Sequence, residues 1–107
     1  MNQRVVITGL GIYSCIGYNL DAVRQSLYEG KSGIILDQAR KEFGYRSGLT
    51  GYVERPNLKD YLDRRARIMM PEHAEYAYMS TKEAIREAGL TEDYFEDHEV
   101  GIIFGND

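Results

Sequence analysis

The sequence predicts an α/β fold in which two buried strands flank a group of helices. Two short apolar runs, residues 4–10 and residues 98–105, are typical of strands because they are rich in β-branched residues and end at glycine. Neither run alternates apolar with polar side chains, which favours strands covered on both faces of a parallel sheet. The clearest helical pattern lies between them, so a right-handed β-α-β crossover is the simplest arrangement.

A glycine-rich turn and a first helix should follow the N-terminal strand. Asn19 is a good N-cap, Asp21 suits the first helical turn, and Gly30 should end the helix. Residues 31–62 are rich in glycine and predict only short strands, near residues 34–36 and 49–53. Such a long excursion in a compact unit is often functional or packed against a partner.

The long helix should run from about residue 71 to residue 88. Pro71 suits a helix start, and Gly89 followed by an apolar residue indicates the helix end. One face carries mostly small side chains, which would allow a close approach to a sheet or another helix: Ala74, Ala77, Tyr78, Thr81, Ile85 and Ala88. Thr91 should cap a short further turn.

Composition limits the classes of function. The chain has 107 residues, enough for one small domain with a thin core and no internal boundary, and its 43% hydrophobic content argues against disorder. A net charge of −4 gives no reason to expect nucleic-acid binding. One cysteine permits no internal disulfide, and no apolar run predicts a signal peptide or a membrane span. We therefore expect a soluble, cytoplasmic protein with no membrane partner.

Several candidate sites are weak on sequence grounds. Gly9-x-Gly11 follows a strand, but a dinucleotide fingerprint needs a third glycine where Ser14 stands and a helix that opens at once. Cys15 lacks a histidine placed near it by pattern, so a small buried residue is the better interpretation. His73 and His98 have no metal-ligand spacing. We therefore expect no cofactor, no metal and no catalytic residue in this chain.

The sharpest polar feature is the run Asp63-Arg64-Arg65-Ala66-Arg67. Three arginines in four residues make a basic patch on an acidic chain, and arginine is suited to carboxylate and phosphate recognition. The alternative is a solvated surface turn in which Asp60 and Asp63 pair with the arginines. The sequence alone favours this alternative.

Motifs along nearly the whole chain resemble the start of β-ketoacyl-acyl-carrier-protein synthases, which are condensing enzymes of the thiolase superfamily. The pattern is most similar to type I elongating synthases of bacterial type II fatty-acid synthesis, and chain-length-factor and polyene-pathway relatives share it. The motifs that carry the resemblance, in order, are residues 4–12 (Arg-Val-Val-Ile-Thr-Gly-Leu-Gly-Ile) with Gly17, residues 27–34, Asp63-Arg64-Arg65, residues 84–90 and residues 100–105.

The resemblance implies a thiolase-like fold, of which this chain would supply the first β-α-β portion of the N-terminal half. It implies a homodimeric acyltransferase that elongates acyl chains by decarboxylative Claisen condensation with malonyl-carrier protein. The family's catalytic cysteine, histidines and lysine would lie beyond residue 107, so the chain alone should be inactive. Cys15 does not match the motif of the nucleophile.

The resemblance also implies a role for individual residues of this chain. In the resembling family, basic residues after the aspartate dock the acidic acyl carrier protein, and Arg64 and Arg65 match them. The third basic position usually follows two apolar residues, where this chain has Ile68, and Arg67 stands one place early. The resemblance thus implies a carrier-protein site at Arg64, Arg65 and Arg67. Two other classes stay open on sequence: a stand-alone docking or structural module, and a small nucleotide-binding domain.

Overall fold

The structure of the chain is a computed structural model, and it describes residues 2–107. It is a mixed α/β arrangement of five helices and one two-stranded antiparallel sheet among these residues. In chain order the elements are α1 (Leu20–Glu29), β1 (Ile34–Leu36), α2 (Gln38–Glu42), β2 (Leu49–Gly51), α3 (Arg64–Ile68), α4 (Glu72–Ala88) and α5 (Glu92–Asp97).

Helix α1 begins and ends where the sequence predicts. The Asn19 side chain accepts a hydrogen bond from the Ala22 amide at 2.8 Å, and Gly30 closes the helix in the left-handed conformation at φ 67°. The apolar side chains of α1 are only partly buried. Val23 is buried, whereas Leu27 remains exposed on the same helix.

Strands β1 and β2 confirm the two short strands predicted in the glycine-rich excursion. They pair antiparallel, with Ile35 opposite Thr50 in the register. Helix α2 lies between them and is capped by Asp37, whose carboxylate accepts hydrogen bonds from the Ala39 and Arg40 amides. The sequence analysis missed α2 because five residues are too few to show a helical period.

Helix α4 confirms the predicted long helix, but the closest approach to it falls beside the predicted small-residue face, at Ser80 and Ala84, and only Ala88 belongs to both. Pro71 stands at the N-cap and Gly89 ends the helix at φ 69°. A Cβ atom built on Gly11 would lie 1.7 Å from the Ser80 carbonyl oxygen, and one on Gly9 would lie 2.2 Å from the Ala84 carbonyl oxygen. The glycines therefore let residues 9–11 run directly against the backbone of α4.

The predicted parallel strands are the main correction. Residues 4–10 and 98–105 form neither strand nor helix, and their large apolar side chains are exposed. The first segment lies against α4 at Gly9 and Gly11, and Ile102 and Phe104 of the second line a cavity together with residues of α4. A helix covers one side of a segment, but a strand needs a neighbouring strand to take its backbone hydrogen bonds. No part of residues 2–107 supplies that neighbour.

The core is thinner than the length of the chain predicts. Among residues 2–107 the buried apolar side chains are Val23 and Leu58. The Cα radius of gyration is 17.3 Å, whereas a compact domain of this length would have about 13 Å. Contacts between pairs of segments, several of them far apart in sequence, hold the described residues together in place of one central core.

Candidate functional site

The basic segment begins in a turn that is ordered by its own backbone. The Lys59 amide donates to the Asn57 side-chain oxygen at 3.1 Å, and the Leu58 carbonyl accepts from the Tyr61 and Leu62 amides at 3.1 and 2.9 Å. Leu58 is the most buried apolar side chain in the described residues, at 3% exposure. This turn therefore has an apolar anchor and sets the direction in which the chain enters α3.

Asp63 is the N-cap of α3, and this corrects the prediction of a surface turn. One oxygen of its carboxylate accepts the Ala66 amide hydrogen bond at 2.8 Å, so the aspartate serves the backbone. Neither Asp60 nor Asp63 forms an ion pair with an arginine among residues 2–107. The charge pairing that the surface-turn interpretation required is absent from that part of the chain.

The three arginines of α3 have different environments. Arg64 and Arg65 are exposed in the first turn, whereas Arg67 is half-buried and its Nε donates to the Leu62 carbonyl at 3.2 Å. Positive charge at Arg64 opposes the helix dipole, whereas Arg65 and Arg67 also fall in the last turn of this five-residue helix, where positive charge is favourable. Within the described residues none of the three has a carboxylate partner. Arg64 and Arg65 therefore present free guanidinium groups to solvent.

An ion pair fixes the loop before this segment to α4. Arg55 Nε donates to Glu75 Oε2 at 2.6 Å, and the Arg55 Nη2 donates to the other carboxylate oxygen at 3.1 Å. Glu75 is 8% exposed. These hydrogen bonds hold the pKa of Glu75 below its usual value, although burial opposes the shift. Glu75 therefore stays ionised, and Arg55 neutralises its charge.

Two tyrosines hold the same loop from its other side. The rings of Tyr13 and Tyr18 stack with centroids 4.4 Å apart. The Tyr13 hydroxyl donates to the Glu54 carbonyl at 2.9 Å, and the Tyr18 hydroxyl accepts the Glu54 amide hydrogen bond at 3.0 Å. Tyr13 and Tyr18 thus bind both backbone polar groups of Glu54, which lies in the loop that leads to the basic segment.

A groove lies between this loop, α3 and α4. It has a volume of about 490 Å³, and its lining includes Leu58, Lys59, Arg64, Arg67, Ile68 and Glu75. Arg64 and Arg67 therefore lie together at one groove, whereas Arg65 does not line this groove.

The sequence analysis missed Lys59 and Arg55 as members of this site. The distribution of basic residues along the chain does indicate both, because five of the 13 lysines and arginines fall within residues 55–67. The signal was overlooked because Asp60 and Asp63 interrupt the run. Only the turn at Asn57 shows that Lys59 faces the same groove as Arg67.

The other candidate residues have structural roles. Cys15 is a half-buried free thiol packed against Gly33 and Gly51, as a small packing residue would be. His98 stacks on Tyr94 with ring centroids 4.1 Å apart, and His73 is exposed. Because α4 occupies the space beside the glycines at positions 9 and 11, the glycines serve packing rather than a pyrophosphate site.

The described part of the chain shows neither a metal-binding cluster nor a helix that could span a membrane. Across residues 2–107 there is no group of three acidic, histidine or cysteine side chains arranged to hold a metal ion. None of the helices described there has the length and apolar character needed to cross a bilayer.

Comparison with known proteins identifies the chain at the family level. Residues 2–107 match the family model of the β-ketoacyl synthase N-terminal domain. The chain is 42% identical over 103 residues to 3-oxoacyl-(acyl-carrier-protein) synthase 1 of Haemophilus influenzae and 40% identical over 105 residues to the protein of that name in Escherichia coli. It is 28% identical over 105 residues to 3-oxoacyl-(acyl-carrier-protein) synthase 2 of Staphylococcus aureus.

These matches cover 96–98% of this chain and 25–26% of each relative, so the chain spans about a quarter of their length. The family match extends over every segment described above, including the glycine-rich turn, the basic segment and α4. The chain therefore belongs to the β-ketoacyl synthase family, of which it carries N-terminal domain sequence.

Proposed function

We propose that this chain forms part of a β-ketoacyl-acyl-carrier-protein synthase with a thiolase-like fold. In this proposal the whole protein is a homodimeric acyltransferase of fatty-acid synthesis that elongates acyl chains by decarboxylative condensation with malonyl-carrier protein. The relatives' names and the family match support the reaction class. The chain of residues 1–107 is inactive by itself in this proposal.

The site in this chain is a docking surface for the acyl carrier protein, formed by Arg64 and Arg65 with Arg67 beside them. The observation that carries it is the exposure of two adjacent guanidinium groups without a carboxylate partner in the described residues. Guanidinium groups bind carboxylates in a bidentate manner, and an acidic carrier protein presents such groups. Charge complementarity of this kind speeds encounter and fixes register more than it adds affinity.

The docking proposal is tested by the double change Arg64→Ala and Arg65→Ala in the complete protein. We expect carrier affinity at low salt to fall about five- to thirty-fold, because each exposed pair contributes up to about 1 kcal/mol. The remaining binding should also depend less on ionic strength. Calorimetry with the purified carrier protein at two salt concentrations measures both effects.

The matched control is the double change Arg24→Ala and Arg86→Ala. It removes the same number of guanidinium groups, but these pair with Asp21 and Glu83 in the structure. We expect its affinity to equal that of the unchanged protein. An Arg64 and Arg65 variant that binds the carrier as tightly as this control would contradict the docking site.

The reaction itself is tested with the complete protein in a condensation assay. Acyl-carrier protein and malonyl-carrier protein should give carbon dioxide and a 3-oxoacyl product longer by two carbons. Carrier binding without either product would favour a docking or structural module instead.

A further inference from the structure

We propose that Lys59 and Arg67 form a second anion-binding element beside the exposed arginines, and that it takes one carboxylate side chain of an acidic protein partner. The inference rests on the proposed docking function and assigns a role to a lysine outside α3. The groove defined above, which we call the Lys59 groove, is the physical basis for it.

The charges that line the Lys59 groove do not cancel. Lys59, Arg64 and Arg67 contribute three positive charges, and Glu75 contributes the only negative charge named in the lining. Arg55 already binds Glu75 through two hydrogen bonds. The three cations form no ion pair among residues 2–107, so the groove has an unmatched positive potential.

The two ends of the groove are held in place by separate contacts. Arg67 is fixed by the hydrogen bond from its Nε to the Leu62 carbonyl, which leaves its terminal nitrogens as donors. The backbone of Lys59 is positioned by the hydrogen bond of its amide to Asn57 and by the buried side chain of Leu58 next to it. The guanidinium of Arg67 is preorganised, so it loses less entropy on binding than a free side chain would.

The lining favours a carboxylate on an aliphatic stem. Leu58 and Ile68 give the groove an apolar wall, against which methylene groups can pack while the carboxylate reaches the cations. A phosphate dianion would bring more negative charge close to the ionised Glu75 and would leave the apolar wall unused. The volume of about 490 Å³ holds one acidic side chain together with several waters.

The groove is continuous with the proposed docking surface, which argues for a protein partner. Arg64 belongs to both, since it lines the groove and lies next to Arg65 in the first turn of α3. Ile68 and Met69 follow on the same segment and are 68% and 80% exposed. Cations beside exposed apolar side chains fit an acidic, amphipathic helix.

Affinity of the complete protein for the acyl carrier protein tests this inference. We expect Lys59→Ala to lower affinity about three- to five-fold at low salt and Lys59→Arg to restore it. Lys31→Ala is the matched control, because Lys31 is also exposed and also without an ion pair in the described residues. Arg67→Gln keeps a side chain of similar polarity near the Leu62 carbonyl, and its effect should be less than additive with Lys59→Ala if both residues bind one carboxylate.

A zero-length carbodiimide crosslinker gives an independent readout, because it joins a lysine ammonium directly to a carboxylate in contact. We expect peptide mapping to show a crosslink from Lys59 to an aspartate or glutamate of the carrier, and none from Lys31. If Lys59→Ala lowers the affinity but no crosslink from Lys59 to a carrier carboxylate forms, the groove binds a different anion and the carboxylate assignment is wrong.

The outcomes also separate this inference from the docking proposal. If the Arg64 and Arg65 variant weakens binding while Lys59→Ala does not, the docking surface stands and the Lys59 element is wrong. If neither change alters affinity, both are wrong.

Discussion

Glu75 is bound by the Arg55 guanidinium through two hydrogen bonds, the shorter of them 2.6 Å from Nε to Oε2. The two residues are 20 positions apart, so the pair joins the loop before the basic segment to helix α4. The side chain of Arg55 is 61% exposed and that of Glu75 is 10% exposed. Because the carboxylate is the buried partner, the pH dependence of this junction follows from Glu75.

We expect the Glu75 pair to stabilise the fold only above acidic pH. Its hydrogen bonds hold the folded-state pKa of Glu75 below the usual value of 4.5. The stabilisation is therefore fully present above that usual pKa and is lost as the pH falls through the lower, folded-state pKa. Urea unfolding of the unchanged protein and of Glu75→Gln, between about pH 6 and about pH 3, should show a steeper acid loss for the unchanged protein.

Glu92→Gln is the control for this pH experiment, because Glu92 is exposed and has no ion pair among residues 2–107. It should follow the unchanged protein over the whole pH range. Parallel curves for Glu75→Gln and the unchanged protein would contradict the assignment.

The stabilisation that Tyr76 provides should be lost at alkaline pH, in contrast to that of Glu75. Its hydroxyl donates a hydrogen bond to Glu72, and this bond, with burial and the Glu72 charge, raises the pKa of Tyr76 to about 12. A raised folded-state pKa gives stabilisation that is present below the usual value of 10.0 and lost as the pH rises towards 12. Glu72→Gln should lower the pKa of Tyr76, as NMR titration of the tyrosine rings would measure, whereas Glu92→Gln should leave it unchanged.

We expect Gly11→Ala to be strongly destabilising. The added methyl group would lie 1.7 Å from the Ser80 carbonyl oxygen, which belongs to the backbone of α4 and cannot rotate away. Overpacking of this kind costs about 1–3 kcal/mol. Chemical denaturation should show this loss, and Gly101→Ala, whose added methyl group would meet no atom within 4 Å, should not lower the free energy of unfolding. Equal stability of the two variants would contradict the close approach of residues 9–11 to α4.

Elements specified by local chemistry could be predicted from the sequence. The start of α1 at Asn19, its end at Gly30 and the end of α4 at Gly89 depend on one residue and its neighbours, and the structure confirms all three. The two short strands also matched, because each is a short apolar run that begins directly after a glycine, Gly33 or Gly48. The close-packing face of α4 was only partly predicted, because Ala88 belongs to it but the closest contacts are at Ser80 and Ala84.

Elements that depend on distant partners could not be predicted in the same way. Residues 4–10 and 98–105 have the composition of strands, but a strand forms only where another strand takes its hydrogen bonds, and composition does not report this. Helices α2 and α3 were missed because each has five residues and is specified mainly by its aspartate cap. In the candidate site, sequence identified Arg64 and Arg65, whereas the role of Lys59 depends on the geometry of a turn.

The tyrosine pair should protect one amide from exchange with solvent. Tyr18 accepts the hydrogen bond of the Glu54 amide, whereas Tyr13 donates to the Glu54 carbonyl. Tyr18→Phe should therefore speed hydrogen exchange at the Glu54 amide more than Tyr13→Phe does. Each change should lower the free energy of unfolding by about 0.5–1.5 kcal/mol, because each removes one hydrogen bond. Amide exchange measured by NMR would contradict this geometry if both variants exposed the Glu54 amide equally.

Variants of Asp63 can distinguish two effects on carrier binding: the positioning of the arginines by α3, and the negative charge of Asp63 beside them. Its carboxylate caps α3 at the Ala66 amide and forms no ion pair in the described residues. Asparagine is an equally good N-cap, whereas alanine loses the capping bond at a cost of about 1 kcal/mol. Asp63→Asn should therefore keep α3 and bind the carrier at least as well as the unchanged protein, since a negative charge beside the arginines has gone.

Asp63→Ala removes the same charge but also frees the first turn of α3. We expect it to weaken carrier binding relative to Asp63→Asn, because Arg64 and Arg65 would no longer be held in one orientation. Calorimetric titration of both variants with the carrier protein measures the difference, and amide exchange at Ala66 reports whether the cap is intact. Equal affinities with an exposed Ala66 amide in Asp63→Ala would mean that docking needs the charges of the arginines and not the helix that presents them.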